Sequence, residues 1–125
     1  IEMDSILDLK RENFGPILHV VRYKAADLER VIEDINATGF GLTMGLHSRN
    51  DDTRAFVESR IKVGNFYVNR NQIGAVVESQ PFGGEGLSGT GPKAGGPHYV
   101  QRFATERVVS IDTTAAGGNA TLLAS

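Results

Sequence analysis

The spacing of the apolar residues changes along the first part of the chain. Residues 17–23 are largely apolar and β-branched, a pattern typical of a strand buried on both faces, and we expect His19 within it to be neutral and hydrogen-bonded. Asp27 then precedes a segment with helical spacing as a candidate N-cap, and Gly39 follows its end. The apolar positions at i, i+3, i+4 and i+7 of this predicted helix are Leu28, Val31, Ile32 and Ile35.

The same alternation of strand and helix then repeats. A strand is predicted over 42–47, and a helix begins at Asn50 and runs to about Lys62, with Phe56 and Val57 facing inward. The aromatic and β-branched content of 65–69 predicts a third strand. This order of elements indicates βαβ organisation, so the predicted fold class is α/β.

Glycine and proline are concentrated between residues 74 and 97. This stretch holds eight of the 15 glycines and three of the four prolines, together with apolar residues such as Phe82. We expect a structured loop system that approaches a ligand closely, because the stretch is unsuited to regular structure and too apolar for a flexible linker. Residues 84–89 match the G-x-G-x-x-G dinucleotide pattern, but no helix can start cleanly at the following Thr90-Gly91-Pro92, so we do not interpret them as a nucleotide site.

Composition excludes several classes of function. The 125 residues suffice for one core, and 13 basic against 15 acidic residues give a net charge of −2, which offers no electrostatic basis for nucleic-acid binding. The longest apolar run is too short to span a membrane, so we expect a cytoplasmic protein without a transmembrane segment. Cysteine is absent and the three histidines are scattered, so we expect neither a metal site nor a cysteine nucleophile within this chain.

A weak alternation of apolar and polar residues runs over 107–112. A strand near a terminus that cannot bury itself often pairs with the sheet edge of another chain. A frayed tail can have the same composition, so the pattern alone leaves both interpretations open.

Glu12 and Phe14 stand two residues apart, directly before Gly15-Pro16. In an extended chain both side chains point to the same side. A carboxylate can accept two hydrogen bonds from a ribose diol, and an aromatic ring offers an apolar wall to a flat heterocycle. The pair is a candidate nucleotide contact, although a surface glutamate beside a core phenylalanine would have the same pattern.

Four motifs, in their order and spacing, resemble the aldehyde dehydrogenase superfamily: Glu12-Asn13-Phe14-Gly15-Pro16, Gly64-Asn65-Phe66-Tyr67-Val68-Asn69, Pro81-Phe82-Gly83-Gly84 and Ser88-Gly89-Thr90-Gly91. More narrowly, residues 67–97 resemble glutamate-γ-semialdehyde (pyrroline-5-carboxylate) dehydrogenase, and residues 114–120 resemble the C-terminus of its bifunctional bacterial members. The resemblance implies the C-terminal portion of an aldehyde dehydrogenase catalytic domain, with a βαβ-type sheet, a glycine-rich loop and a terminal oligomerisation strand.

The resemblance also implies roles for five residues. Glu12 would bind the nicotinamide ribose hydroxyls of NAD, and Phe14 would lie against the nicotinamide. Backbone N–H groups at Gly74 and Ala75 would hold the α-carboxylate of the substrate, while Phe82 would pack along its aliphatic chain. Small residues leave backbone donors open to an anion, and an aromatic wall excludes water from the carbon being oxidised.

The family's nucleophilic cysteine, catalytic glutamate, oxyanion asparagine and phosphate loop have no match in this sequence. We therefore assign no catalytic residue to it, and expect it to be inactive without the upstream part of the same enzyme. A bifunctional parent would carry an FAD-dependent proline dehydrogenase domain upstream. Residues 107–125 resemble the family's terminal flap, so we expect a catalytic-domain portion over 1–106 and an oligomerisation flap over 107–125 in a homodimer.

Two alternatives stay open. The chain could belong to an aldehyde dehydrogenase whose loop after Asn71 binds a different acid or none; a carboxylate site requires that the N–H groups of Gly74 and Ala75 point into the pocket. The other alternative is a non-catalytic structural or phosphate-binding module, which predicts a self-contained core and phosphate affinity.

Overall fold

A computed structural model describes residues 1–76 and 78–112 of the chain. The described part contains six short strands, two α-helices and three 3₁₀ segments. The strands are β1 (Glu2–Met3), β2 (Val20–Val21), β3 (Phe40–Gly41), β4 (Thr43–Leu46), β5 (Asn65–Val68) and β6 (Glu85–Gly86). The α-helices are α1 (Leu28–Ala37) and α2 (Asp51–Glu58), and the 3₁₀ segments are Ile6–Asp8, Ala25–Asp27 and Val100–Phe103.

A βαβ unit confirms the predicted α/β class. Strands β4 and β5 pair in parallel, from Thr43 opposite Asn65 to Leu46 opposite Val68, and α2 connects them. Val57 on α2 is fully buried. Helix α2 ends at Glu58 and not near Lys62 as predicted. The N–H of Ile61 still donates to the carbonyl of Val57, but the N–H of Lys62 donates to the side chain of Asn36 on α1.

Helix α1 agrees with the predicted one. It begins at Leu28, its side chain Ile32 is buried, and Gly39 follows its end at φ +78°. Asp27 occupies the N-cap position, but its carboxylate accepts no hydrogen bond from the helix. The apolar spacing therefore located the helix correctly, whereas the proposed cap makes no capping bond.

The prediction of a long strand buried on both faces over 17–23 is wrong. Strand β2 covers only Val20–Val21, which pair in parallel with β1. Leu18 is 75% exposed and His19 is half-buried. Within the described residues the strand has one neighbour, β1, and faces α1 across a cavity on one side, so no second layer covers its other side.

The glycine-rich stretch is structured, as expected. Strand β6 pairs antiparallel with β3, and Phe82 forms an isolated bridge with Ala94. After Glu85–Gly86 the chain turns at Leu87 and Ser88 without starting a helix. The G-x-G-x-x-G pattern thus does not join a strand to a helix, which is the geometry a dinucleotide site needs.

Residues 107–112 form no strand in the single chain and are exposed. Val108, Val109 and Ile111 leave 85%, 71% and 77% of their surface open. The remainder of the predicted flap, 113–125, lies outside the described residues. In the described ranges, no helix has the length and apolarity needed to cross a membrane.

Candidate functional site

The loop that follows β5 contains the predicted substrate residues. Tyr67 on β5 is buried, and its hydroxyl donates a 2.7 Å hydrogen bond to the carbonyl oxygen of Gly74. Gly74 itself has φ +60°, a backbone conformation that favours glycine. Tyr67 on the strand therefore holds Gly74 by its carbonyl group.

Ala75 and Phe82, seven residues apart, line one cavity of about 310 Å³. Gly74 is adjacent to Ala75 but does not line this cavity. Within residues 1–76 and 78–112, the backbone N–H groups of Gly74 and Ala75 donate no hydrogen bond. The other lining residues are Glu78, Gln80, Pro81, Ala94 and Gly95.

The position of Phe82 is set by backbone pairing and by one side-chain amide. Phe82 and Ala94 exchange two backbone hydrogen bonds of 3.0 and 2.9 Å. On either side of Phe82, the Asn65 amide donates to the carbonyl of Pro81 at 3.0 Å and accepts from the N–H of Gly83 at 3.1 Å. No role for Asn65 was predicted from the sequence. The one indication was that Asn65 belongs to the Gly64–Asn69 motif.

Three charged side chains lie around the cavity. Arg70 donates a 2.7 Å hydrogen bond to Oε1 of Gln80, and Lys93 donates one of 2.7 Å to the carbonyl of Gly83. Glu78 lines the cavity, is exposed and has φ +69°. Among the described residues, the charges of Arg70 and Lys93 are not paired with carboxylates, and Glu78 is exposed to solvent. The electrostatic potential around the cavity therefore favours an anionic ligand.

The two predicted cofactor residues are placed apart. Glu12 lines a groove of about 350 Å³ together with residues that include His19 and Phe40. Phe14 lies outside this groove and is 88% exposed. The groove of the single chain therefore includes Glu12 but not Phe14.

Metal ligands do not cluster in the part of the chain that the structure describes. No group of three or more histidine, aspartate or glutamate side chains there could hold an ion. The described residues around the cavity offer groups that can bind a ligand: backbone donors, an aromatic ring and nearby positive charge.

The described chain has a βαβ unit followed by a glycine-rich loop beside a small cavity. This arrangement agrees with the aldehyde dehydrogenase family, which the sequence motifs resemble. Residues 5–109 match the aldehyde dehydrogenase family, and the chain belongs to that family. It is 65% identical over 105 residues to bifunctional protein PutA of Rhizobium meliloti, an alignment that covers 84% of this chain and 9% of the relative. It is 39% identical over 102 residues to 1-pyrroline-5-carboxylate dehydrogenase of Oceanobacillus iheyensis, covering 82% of this chain and 19% of that enzyme.

The fold is similar to that of a solved relative. A crystal structure of a proline utilization A (PutA) mutant from Bradyrhizobium japonicum superposes with a TM-score of 0.82 at 63% identity. The match covers 93% of this chain and 12% of that one. The chain thus spans a small part of the relatives it matches, and it corresponds to part of an aldehyde dehydrogenase domain, as the motifs predicted.

Proposed function

We propose that this chain is the C-terminal portion of the catalytic domain of an NAD-dependent dehydrogenase that oxidises L-glutamate γ-semialdehyde to L-glutamate in proline catabolism. The observation that carries the proposal is that Ala75 and Phe82 line one cavity. Beside it, the N–H groups of Gly74 and Ala75 donate no hydrogen bond among the described residues. The names of the relatives, PutA and 1-pyrroline-5-carboxylate dehydrogenase, support the substrate.

In this proposal the loop at Gly74 and Ala75 anchors the substrate. Its two N–H groups donate to the α-carboxylate, and the absence of larger side chains lets the anion approach the backbone. The ring of Phe82 packs along the aliphatic chain and excludes water from the aldehyde carbon. The aldehyde is thereby held at a fixed distance from its carboxylate end, which limits the substrates to acids of one length.

NAD would accept the hydride from the aldehyde carbon, and water would supply the second carboxylate oxygen of the product. The residues present fit such a cofactor in two respects. Among the described residues Glu12 makes no ion pair, so its carboxylate is open to a ribose diol. The exposed ring of Phe14 offers an uncovered apolar face to a flat heterocycle.

The remaining parts of the proposal concern the parent protein. Because this chain has no cysteine, the nucleophile would come from an upstream part of the same enzyme. A bifunctional parent would carry FAD in a separate proline dehydrogenase domain. We further propose a cytoplasmic homodimer in which residues 107–125 cross to the partner; the exposed apolar side chains of 107–112 support this arrangement.

The test is steady-state kinetics of the full-length parent with Ala75→Asp. A carboxylate at this position would repel the substrate's α-carboxylate and occupy its space. The expected result is a KM for glutamate γ-semialdehyde raised at least about 30-fold, since like charges in a confined site are strongly unfavourable. Ala55→Asp, on the exposed side of α2, adds the same charge elsewhere and should leave KM unchanged.

An unchanged KM in Ala75→Asp would mean that the loop does not hold the carboxylate. The chain would then fit an aldehyde dehydrogenase of another specificity. Equal loss of activity in the Ala55→Asp control would show that any added carboxylate harms the enzyme, and would also contradict the assignment of the anchor.

A further inference from the structure

Tyr67 and Arg70 hold the proposed anchor loop at both of its ends. Tyr67 donates its hydroxyl hydrogen to the carbonyl of Gly74 at 2.7 Å. Arg70 donates to Oε1 of Gln80, also at 2.7 Å, and through Nε to the carbonyl of Asn71 at 3.0 Å. Gly74 is thus held by the side chain of Tyr67, and Gln80 by that of Arg70.

The two holding side chains also contact each other. The guanidinium carbon of Arg70 lies 4.2 Å from the centre of the Tyr67 ring, a cation–π geometry. Tyr67 is buried and Arg70 half-buried, so neither can move far without displacing the other. A change at either residue should therefore reach both ends of the loop.

The partners of Arg70 in the described part of the chain carry no charge. No ion pair with a carboxylate involves Arg70 in residues 1–76 and 78–112, and its hydrogen-bond acceptors are neutral oxygens. The other described arginines either contact carboxylates, as Arg22, Arg30, Arg54 and Arg60 do, or are exposed, as Arg11, Arg49, Arg102 and Arg107 are. A half-buried guanidinium behind Gln80, a residue that lines the cavity, makes the potential inside the cavity more positive.

We infer that Tyr67 and Arg70 are positioning residues that hold Gly74 and Gln80 in place for anion binding, and that the unneutralised charge of Arg70 favours substrates carrying a carboxylate. This inference rests on the proposed function and deepens it. Neither side chain needs to touch the substrate, because Tyr67 acts through Gly74 and Arg70 through Gln80.

The experiment uses the full-length parent with Tyr67→Phe and Arg70→Met, each assayed with glutamate γ-semialdehyde and with pentanal, a five-carbon aldehyde without a carboxylate. Tyr67→Phe should raise KM for the semialdehyde about 3- to 10-fold, the usual effect of one hydrogen bond. Arg70→Met should raise it about 10-fold or more, because two hydrogen bonds and a charge are lost. With pentanal, kcat/KM should stay within about twofold of the parent value.

Arg70→Lys provides the conservative comparison. It keeps the positive charge, but one ammonium cannot reproduce the two bonds of the planar guanidinium. Its KM for the semialdehyde should lie between those of the parent and Arg70→Met. The double variant Tyr67→Phe/Arg70→Met should raise KM by less than the product of the single effects, since both act on one loop.

The controls are Tyr23→Phe and Arg49→Met, which make the same chemical changes at exposed positions. Their kinetics should match the parent with both substrates. Equal losses with both substrates in Tyr67→Phe or Arg70→Met would show a general structural role and overturn the inference. Unchanged semialdehyde kinetics in both variants, with Ala75→Asp still impaired, would overturn it while leaving the proposed function intact. If Ala75→Asp also has no effect, the proposed function itself fails.

Discussion

Gly64 lies so close to Gly83 that a Cβ atom built on Gly64 would overlap the carbonyl oxygen of Gly83 and come within 2.7 Å of the Cα of Gly84. The backbone immediately before β5 and the glycine-rich loop are therefore in direct contact. Phe82 directly precedes Gly83, so this contact also determines how near the aromatic wall of the cavity lies to the sheet.

Replacement of Gly64 by alanine should destabilise the protein because the methyl group meets backbone atoms that cannot turn away. We expect a loss of more than about 2 kcal/mol in the free energy of unfolding, toward the upper end for overpacking. Gly83→Ala is the matched comparison: its Cβ would meet Lys93 Cα at 3.3 Å, so its loss should be smaller. Denaturant unfolding of the full-length parent measures both, and a reversed order would contradict the packing described.

The side-chain amides of Asn65 and Asn36 each donate to one backbone carbonyl and accept from one backbone N–H. Asn36 donates to the carbonyl of Arg60 and accepts from the N–H of Lys62, both at 2.9 Å, whereas Asn65 links Pro81 and Gly83. Aspartate at either position keeps the acceptor but places a carboxylate beside a carbonyl oxygen. Each variant should lose about 1–3 kcal/mol of stability.

The two asparagines should differ in their effect on kinetics. Asn65→Asp should raise KM for glutamate γ-semialdehyde several-fold, because Phe82 lies between the two groups that Asn65 holds. Asn36→Asp should leave that KM unchanged, since its partners lie away from the cavity. Steady-state kinetics at a temperature where both variants are folded compares them; similar KM values would argue against Asn65 positioning Phe82.

Asn50 caps α2, and Asp27 stands at the same position before α1 without capping it. The Oδ1 of Asn50 accepts from the N–H groups of Asp52 and Thr53 at 2.8 and 3.3 Å. Asn50→Ala should therefore cost about 1 kcal/mol, the usual value for a lost cap. Asp27→Ala should cost less, since it removes only an exposed 4.0 Å contact with Arg30. Thermal unfolding distinguishes the two, and equal costs would mean that the Asn50 bonds contribute little.

The proposed cofactor contacts predict a selective effect on NAD. Glu12→Gln replaces a charged acceptor by a neutral one, so KM for NAD should rise about 5- to 20-fold while KM for the aldehyde stays constant. Phe14→Ala should act in the same direction through the lost apolar wall. Glu33→Gln, an exposed neutralisation on α1, is the control. The measurement is steady-state kinetics with NAD as the varied substrate. A KM for NAD equal to that of the parent in all three variants would contradict the assignment.

Local patterns in the sequence predicted the elements whose stability depends on nearby residues. Helix α1 and the β4–α2–β5 unit lie where apolar spacing and caps indicated, because one amphipathic face and a short parallel pair need few distant partners. The family could also be predicted, because the order and spacing of four motifs resemble those of the aldehyde dehydrogenase superfamily. The narrower resemblance of residues 67–97 implied substrate roles for Ala75 and Phe82; the fold places both residues beside one cavity, and their roles stay predictions.

Contacts between distant segments decided the rest. The path of the chain after α2 depends on the contact of Lys62 with Asn36, and the position of Phe82 depends on Asn65 and Ala94. The predicted burial of 17–23 failed for a related reason: burial requires a second layer, and periodicity says only that a segment could be covered. By itself the sequence determined which segments could be helix, strand or loop. Only the tertiary structure decided which hydrogen-bond partners they found, because those partners lie far along the chain and are brought together by folding.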